Sequence, residues 1–204
     1  MSLSRVEDRP VAIDGLQQRL LRAMNVQGGF GVFDEPGSPE LLCRSLLWCR
    51  GADTPALSRI AFPISQGVPC WSWMAYHGGI DYLEIQFGQC DWETVVAPWA
   101  SDHETRNDSV LHAVVHSWEL EKAKSEETFL TFDNPEEFSS IGTRCVVLGK
   151  QRGMMSPMDQ RCYVLLVVQT LSEKVVPAFE RVGVGYLPRR CIGSDADAIR
   201  ASVY

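Results

Sequence analysis

Two rhythms of apolar residues run along the chain, and one gives way to the other near Pro63. Before it the spacing is helical. Ile13, Leu16, Leu20 and Met24 recur at three and four residues, which predicts a helix over about Arg9–Asn25 with one apolar stripe and with Arg19 and Arg22 turned to solvent. Asp8 or Arg9 is its expected cap, and Pro10 suits the first turn, where a missing N–H costs nothing. Gly28-Gly29-Phe30-Gly31 reads as the helix terminator, followed by a short strand at Val32-Phe33. Ser38-Pro39-Glu40 starts a second helix, predicted to reach Arg50, with Leu42, Leu46 and Cys49 on one face and Gly51 as its stop.

After Pro63 the runs become β-prone. Cys70–Tyr76 and Ile80–Ile85 flank His77-Gly78-Gly79, the pattern of a hairpin whose turn needs positive φ. Further strands are expected over Val110–Leu120, Thr128–Phe132, Arg144–Leu148, Cys162–Gln169 and Ala178–Tyr186, separated by polar connections that include Ser101–Asp108. A tail helix is expected from about Asp195. The fold class is therefore α+β, with N-terminal helices packed on a mainly antiparallel β-barrel or sandwich. A helical segment, residues 1–62, and a β-rich body, residues 63–204, are expected to unfold as one unit.

Charge and cysteine usage narrow the function classes. The net charge is −7 and the 19 Lys and Arg residues are scattered, which argues against a nucleic-acid surface. Seven cysteines at irregular spacing, most among apolar neighbours and with no CxxC pair, read as reduced thiols rather than as a zinc or redox site. No apolar run approaches a membrane span of ~18 residues. A cytoplasmic chain without cofactor is the expectation.

Four stretches resemble the region downstream of the HET domain in the fungal heterokaryon-incompatibility family. They are Asp8–Leu16, similar to the family's D-R-x-x-A-I-x-G-L helix; Arg44–Arg50, close to L-L-W-x-R; Val68–Tyr76, similar to P-S-W-S-W with a following Gly and Ile, here Gly79 and Ile80; and Phe179–Gly185, similar to the R-x-G-x-G strand. Cys70 stands where the signature usually has Ser. The family's N-terminal block, with its A-L-S-Y-C-W-G-like strand and W-x-F-Q-E-like helix, has no counterpart in these residues. The resemblance thus implies an accessory or recognition region without the TIR-like cell-death trigger, and a partner that is another protein or the HET domain itself. It marks Pro69, Trp71, Ser72, Trp73, Gly79, Arg181, Gly183 and Gly185 as the signature residues.

Each candidate for chemistry has a plainer reading beside it. Trp71 and Trp73, two apart on a predicted strand, share a side and would form either an aromatic platform or a core anchor; the core is favoured. Trp92 and Trp99 are expected to cover a sheet end. His112 and His116 share a face of a strand, but zinc needs one or two more ligands and none has motif spacing, so a solvated polar face is favoured. Gly28–Gly31 lacks the Lys-Ser/Thr of a phosphate loop. Gly183 and Gly185 read as a bulge or a close backbone approach. Cys70 has no basic neighbour to activate it, and Met154, Met155, Met158 and Cys162 read as loop packing rather than a copper site. Catalytic and metal residues are expected to be none. Two other readings stay open: a free-standing β-barrel binding a small molecule or peptide on the Trp-rich hairpin, and an enzyme using Asp81 or Glu84 with a histidine.

Overall fold

The computed structural model of the chain describes residues 9–63, 66–100, 109–122, 125–153, 156–170 and 176–204. Asp8, Ser101–Asp108 and the Met154-Met155 pair lie outside them.

Helix α1 (Arg9–Met24) forms where the spacing predicts it, and Asn25 ends it in the left-handed region at φ 53°. Of its predicted apolar stripe only Ile13 packs inward, half-buried against the cluster of Trp48 and Met74. Leu16, Leu20 and Met24 are 59%, 39% and 51% exposed, whereas Gln17 and Leu21 are buried. One residue along a helix is a turn of about 100°, so the helix sits rotated from its apolar stripe. The cause is the Gln17 amide, which accepts from Gly31 N–H at 3.1 Å and donates to the Val32 carbonyl at 3.2 Å. Those two residues belong to a hairpin rather than to a bare terminator: β1 (Gln27–Gly29) pairs with β2 (Val32–Asp34). Its two-residue turn, Phe30-Gly31, has φ of 53° and 77°, the primed geometry that matches strand twist.

Helix α2 (Glu40–Leu46) is shorter than expected. Trp48–Arg50 leaves it as strand β3 to pair with Ile80–Tyr82, and Arg181 takes the freed carbonyls of Leu46 and Trp48. Short strands follow: β4 (Ser58–Arg59), β5 (Tyr76–His77), β6 (Ile80–Tyr82) and β7 (Cys90–Trp92). The expected hairpin does not form. β5 pairs with β4 and β6 pairs with β3, so the two halves go to different partners. Trp73–Ala75 is a 3-10 turn, because the Ser72 hydroxyl accepts the Met74 N–H at 3.0 Å and breaks the strand.

The body is built from β8 (Leu111–His116), β9 (Phe129–Phe132), β10 (Thr143–Gln151), β11 (Arg161–Gln169), β12 (Ala178–Pro188) and β13 (Ile199–Val203). The last replaces the expected tail helix. Pairings run β8–β10–β11–β12–β13 and back to β8, with β9 beside β13 on the edge of β12 opposite β11. All are antiparallel except β12 with β13. β8–β10 and β12–β13 meet over only two residue pairs each, so the sheet curls on itself without closing into a regular barrel. The expected α+β class stands, with a large antiparallel sheet in sandwich-like form.

Both faces of the long strands are buried, which is why they read as continuous apolar runs. Tyr163, Leu165 and Val167 join α2, Trp71 and β8 in one core, while Cys162, Val164 and Leu166 join Cys145, Val147 and Cys191 in another. A bulge where Leu166 and Val167 face Gly183 and Arg181 leaves Val182 as the extra residue on β12. It reverses the alternation there, so Phe179 and Val184 both reach the first core although one position is odd and the other even. Among the described residues no helix is long and apolar enough to cross a membrane.

Candidate functional site

Of the eight residues singled out in the sequence, Arg181 is the centre of a buried polar knot. Arg181, 2% exposed, leaves β12 beside the bulge and forks onto Asp133, with Nε to Oδ2 at 3.0 Å and Nη2 to Oδ1 at 3.1 Å. The same guanidinium donates to the Leu46 carbonyl at 3.0 Å and the Trp48 carbonyl at 2.6 Å, and lies 3.1 Å from the centre of the Trp48 ring. A buried charge is tolerable when paired and hydrogen-bonded, and this one uses most of its donors. Asp133 is held from behind, its N–H donating to Val182 and its carbonyl accepting from Leu57.

The tryptophans tie the remaining motifs to this knot. Trp48 Nε1 donates to the Trp71 carbonyl at 2.9 Å, and Trp71 Nε1 to that of Ser109 at 3.1 Å. The fully buried Trp71 ring meets Phe30 and Trp99 edge-on, at 5.9 and 6.3 Å. Trp73 turns the other way, half-buried, with Nε1 donating to Gly31 at 3.1 Å. The two indoles therefore do not share a side. Ser72, also buried, donates from its hydroxyl to the Phe30 carbonyl at 2.6 Å, locking the β1–β2 turn. Pro69 is buried and its carbonyl accepts the Ser72 N–H at 3.1 Å. Gly79 is exposed and bridges Gly51 and Thr54.

Gly183 and Gly185 are the close approach expected of them. They pair with Phe132 and Leu130 of β9, and a Cβ on either would meet the carbonyl of Thr131 or Phe129. Cys70 is buried among hydrogen bonds: its sulfur accepts the Arg181 N–H at 3.0 Å, and its thiol points at the Tyr204 carbonyl. Burial pushes this thiol up to about 12, the reverse of an activated nucleophile. Trp92 and Trp99 are partly buried against the first core, Trp99 donating to Asp34 Oδ2 at 3.0 Å. In β6 Asp81 accepts the Ala52 N–H at 3.4 Å.

No family model, curated protein or solved structure matches the chain.

His112 and His116 do share a face, on either side of Val114 along β8, yet they differ. His112 is exposed, with Nδ1 3.4 Å from the Ser202 hydroxyl. His116 is 9% exposed, and its Nδ1 has no hydrogen-bond partner. Burial lowers its pKa, partly opposed by the Asp195 carboxylate at 3.9 Å. Among the described residues no group of three or more His, Cys, Asp and Glu is placed to hold a metal. The period of β8 places the two rings on one face, but nothing local foretells that the turn at Asp195–Asp197 covers one of them.

Proposed function

We propose that the chain is a non-enzymatic recognition region of heterokaryon-incompatibility type, which works beside a HET domain in self/non-self recognition and programmed cell death. Four motifs support the reading, and their side chains are spent on packing: Arg181, Trp71 and Ser72 are buried in protein. The observation that carries it is α1. Its apolar stripe, Leu16, Leu20 and Met24, lies outside the core and is bordered by exposed Arg19. The stripe belongs to the same helix as the Asp8–Leu16 motif. An apolar face with a cationic rim fits a folded domain that offers an apolar patch edged by acids, and the occupant we assign is the HET domain. A cytoplasmic setting belongs to the same reading.

Titration calorimetry of this chain against a separately expressed HET-type domain tests it. Saturable binding is expected, weakened at least about tenfold by the double substitution Leu16→Asp, Leu20→Asp with no change in the urea midpoint. Absence of binding, or binding indifferent to both substitutions, overturns the proposal. The alternative of a ligand on a Trp-rich hairpin loses its platform, since that hairpin does not form and Trp71 is enclosed.

A further inference from the structure

Along β8 the odd positions Leu111, Ala113 and Val115 enter the core, which leaves His112, Val114 and His116 on the opposite face. That face floors a groove. β10 stays beside β8 for two residue pairs, passes a bulge at Leu148, and then pairs with β7 instead. The strands fork there, and two cavities open that adjoin at Thr94 and Val114. The larger, about 480 Å³, is mostly apolar, with Val96, Val114, Val176 and Ala201 in its wall and His112 and Arg200 at its margin. The smaller, about 280 Å³, is charged, and is lined by Glu93, His116, Lys150, Arg189 and Asp195. An apolar chamber with a few convergent polar groups at one end is the common form of a small-molecule site.

The charged end already holds a carboxylate. Asp195 Oδ1 lies 3.1 Å from Arg189 Nη2 and 3.9 Å from His116 Nδ1, close enough to cover the imidazole but too far to bond it. Asp195 is held lightly: its side chain is 83% exposed and it sits on a three-residue 3-10 turn. Arg189, by contrast, is fixed by its bonds to the carbonyls of Ile192 at 2.9 Å and Gly193 at 3.2 Å. Lys150 is paired with Glu93. The fixed cation and the unpartnered ring nitrogen thus define a carboxylate position that Asp195 fills imperfectly.

We propose that this groove binds an amphipathic organic carboxylate, its apolar body against Val96, Val114 and Val176 and its head group between Arg189 and His116, in the place Asp195 now occupies. Asp195 is then an internal competitor for the site. The proposal does not rest on the recognition reading, because α1 takes no part in it.

Octanoate is the probe, with octanol as the same tail without the charge. In calorimetry the wild-type chain is expected to bind one octanoate, about tenfold tighter than octanol. Asp195→Asn should tighten octanoate by about three- to tenfold by removing the competitor. Asp197→Asn, which makes the same charge change on the same turn, should not, and Val114→Glu should abolish binding. The His116 imidazole resonance should shift with octanoate and stay put with octanol. Equal binding of octanoate and octanol, no saturation in either wild type or Asp195→Asn, or equal effects of the two Asn substitutions would each overturn the proposal.

Discussion

The Arg181–Asp133 pair is the point where the fold is most exposed to a single substitution. Both side chains are essentially solvent-free, at 0% and 2% exposure, so Arg181→Met leaves the Asp133 carboxylate buried without its cation. Breaking such a pair from one side costs about 3–5 kcal/mol. The carbonyls of Leu46 and Trp48 lose donors in the same step, and each orphaned group adds roughly 1–3 kcal/mol, though not additively. A total near 4 kcal/mol or more is a large part of the ~5–15 kcal/mol that holds a domain together. With a urea m-value of roughly 2 kcal/mol/M, the midpoint should fall by about 2 M. The chain's six tryptophans supply the fluorescence signal, and Trp48 stacks on the guanidinium itself. Adding Asp133→Leu to Arg181→Met removes the stranded charge and should recover about half of the loss, since apolar replacement of a whole buried pair is often neutral. A single mutant whose midpoint stays within about 0.5 M of wild type would refute the claim that this pair holds α2, β3, β9 and β12 together.

Three further outcomes are expected. Gly185→Ala forces a methyl into the Phe129 carbonyl and should cost about 1–3 kcal/mol, with faster hydrogen exchange across Phe129–Phe132; unchanged protection of those amides would contradict the close approach. All seven cysteines are buried and free, and burial raises Cys162 to about 11 and Cys90 to about 12, so a thiol reagent should label the native chain only as fast as it opens and reach seven equivalents in denaturant. His116 resists protonation when folded, so its contribution to stability is intact above the ordinary imidazole pKa of about 6.5 and is lost as pH falls from there through its lowered folded value. His116→Gln should therefore flatten the fall in urea midpoint between about pH 7.5 and pH 5.5, and an identical slope in both proteins would show that the group is not so buried.

The long strands were legible because each is apolar enough to be buried on both faces, a pattern that survives whatever packs against it. Cys162–Gln169 is the clearest case: it is read as a strand, and every residue from Cys162 to Val167 is buried. The segments misread are those whose partners lie far off in sequence. Ser194 does cap a turn, accepting the Ala196 N–H at 3.2 Å, as a helix start would. The open edge of β8 then draws Ile199–Val203 into the sheet, which no local signal announces. The rotation of α1 away from its stripe has the same origin, because Gln17 finds two backbone partners in the β1–β2 turn.

For the candidate sites the division is sharper. The residue types and spacing of Trp71-Ser72-Trp73 and Arg181–Gly185 single these stretches out, and the period of β8 aligns His112 with His116. That Arg181 meets Asp133, 48 residues away, and the Leu46 carbonyl, 135 residues away, was decided only in three dimensions. The same holds for the groove, whose walls come from β8, β10 and the turn at Asp195. Local sequence determines element type, since backbone sterics and apolar period act over a few residues. Charge pairing and cavity shape depend on contacts between distant segments, and for this protein those contacts, rather than any motif, placed the buried cation and opened the groove.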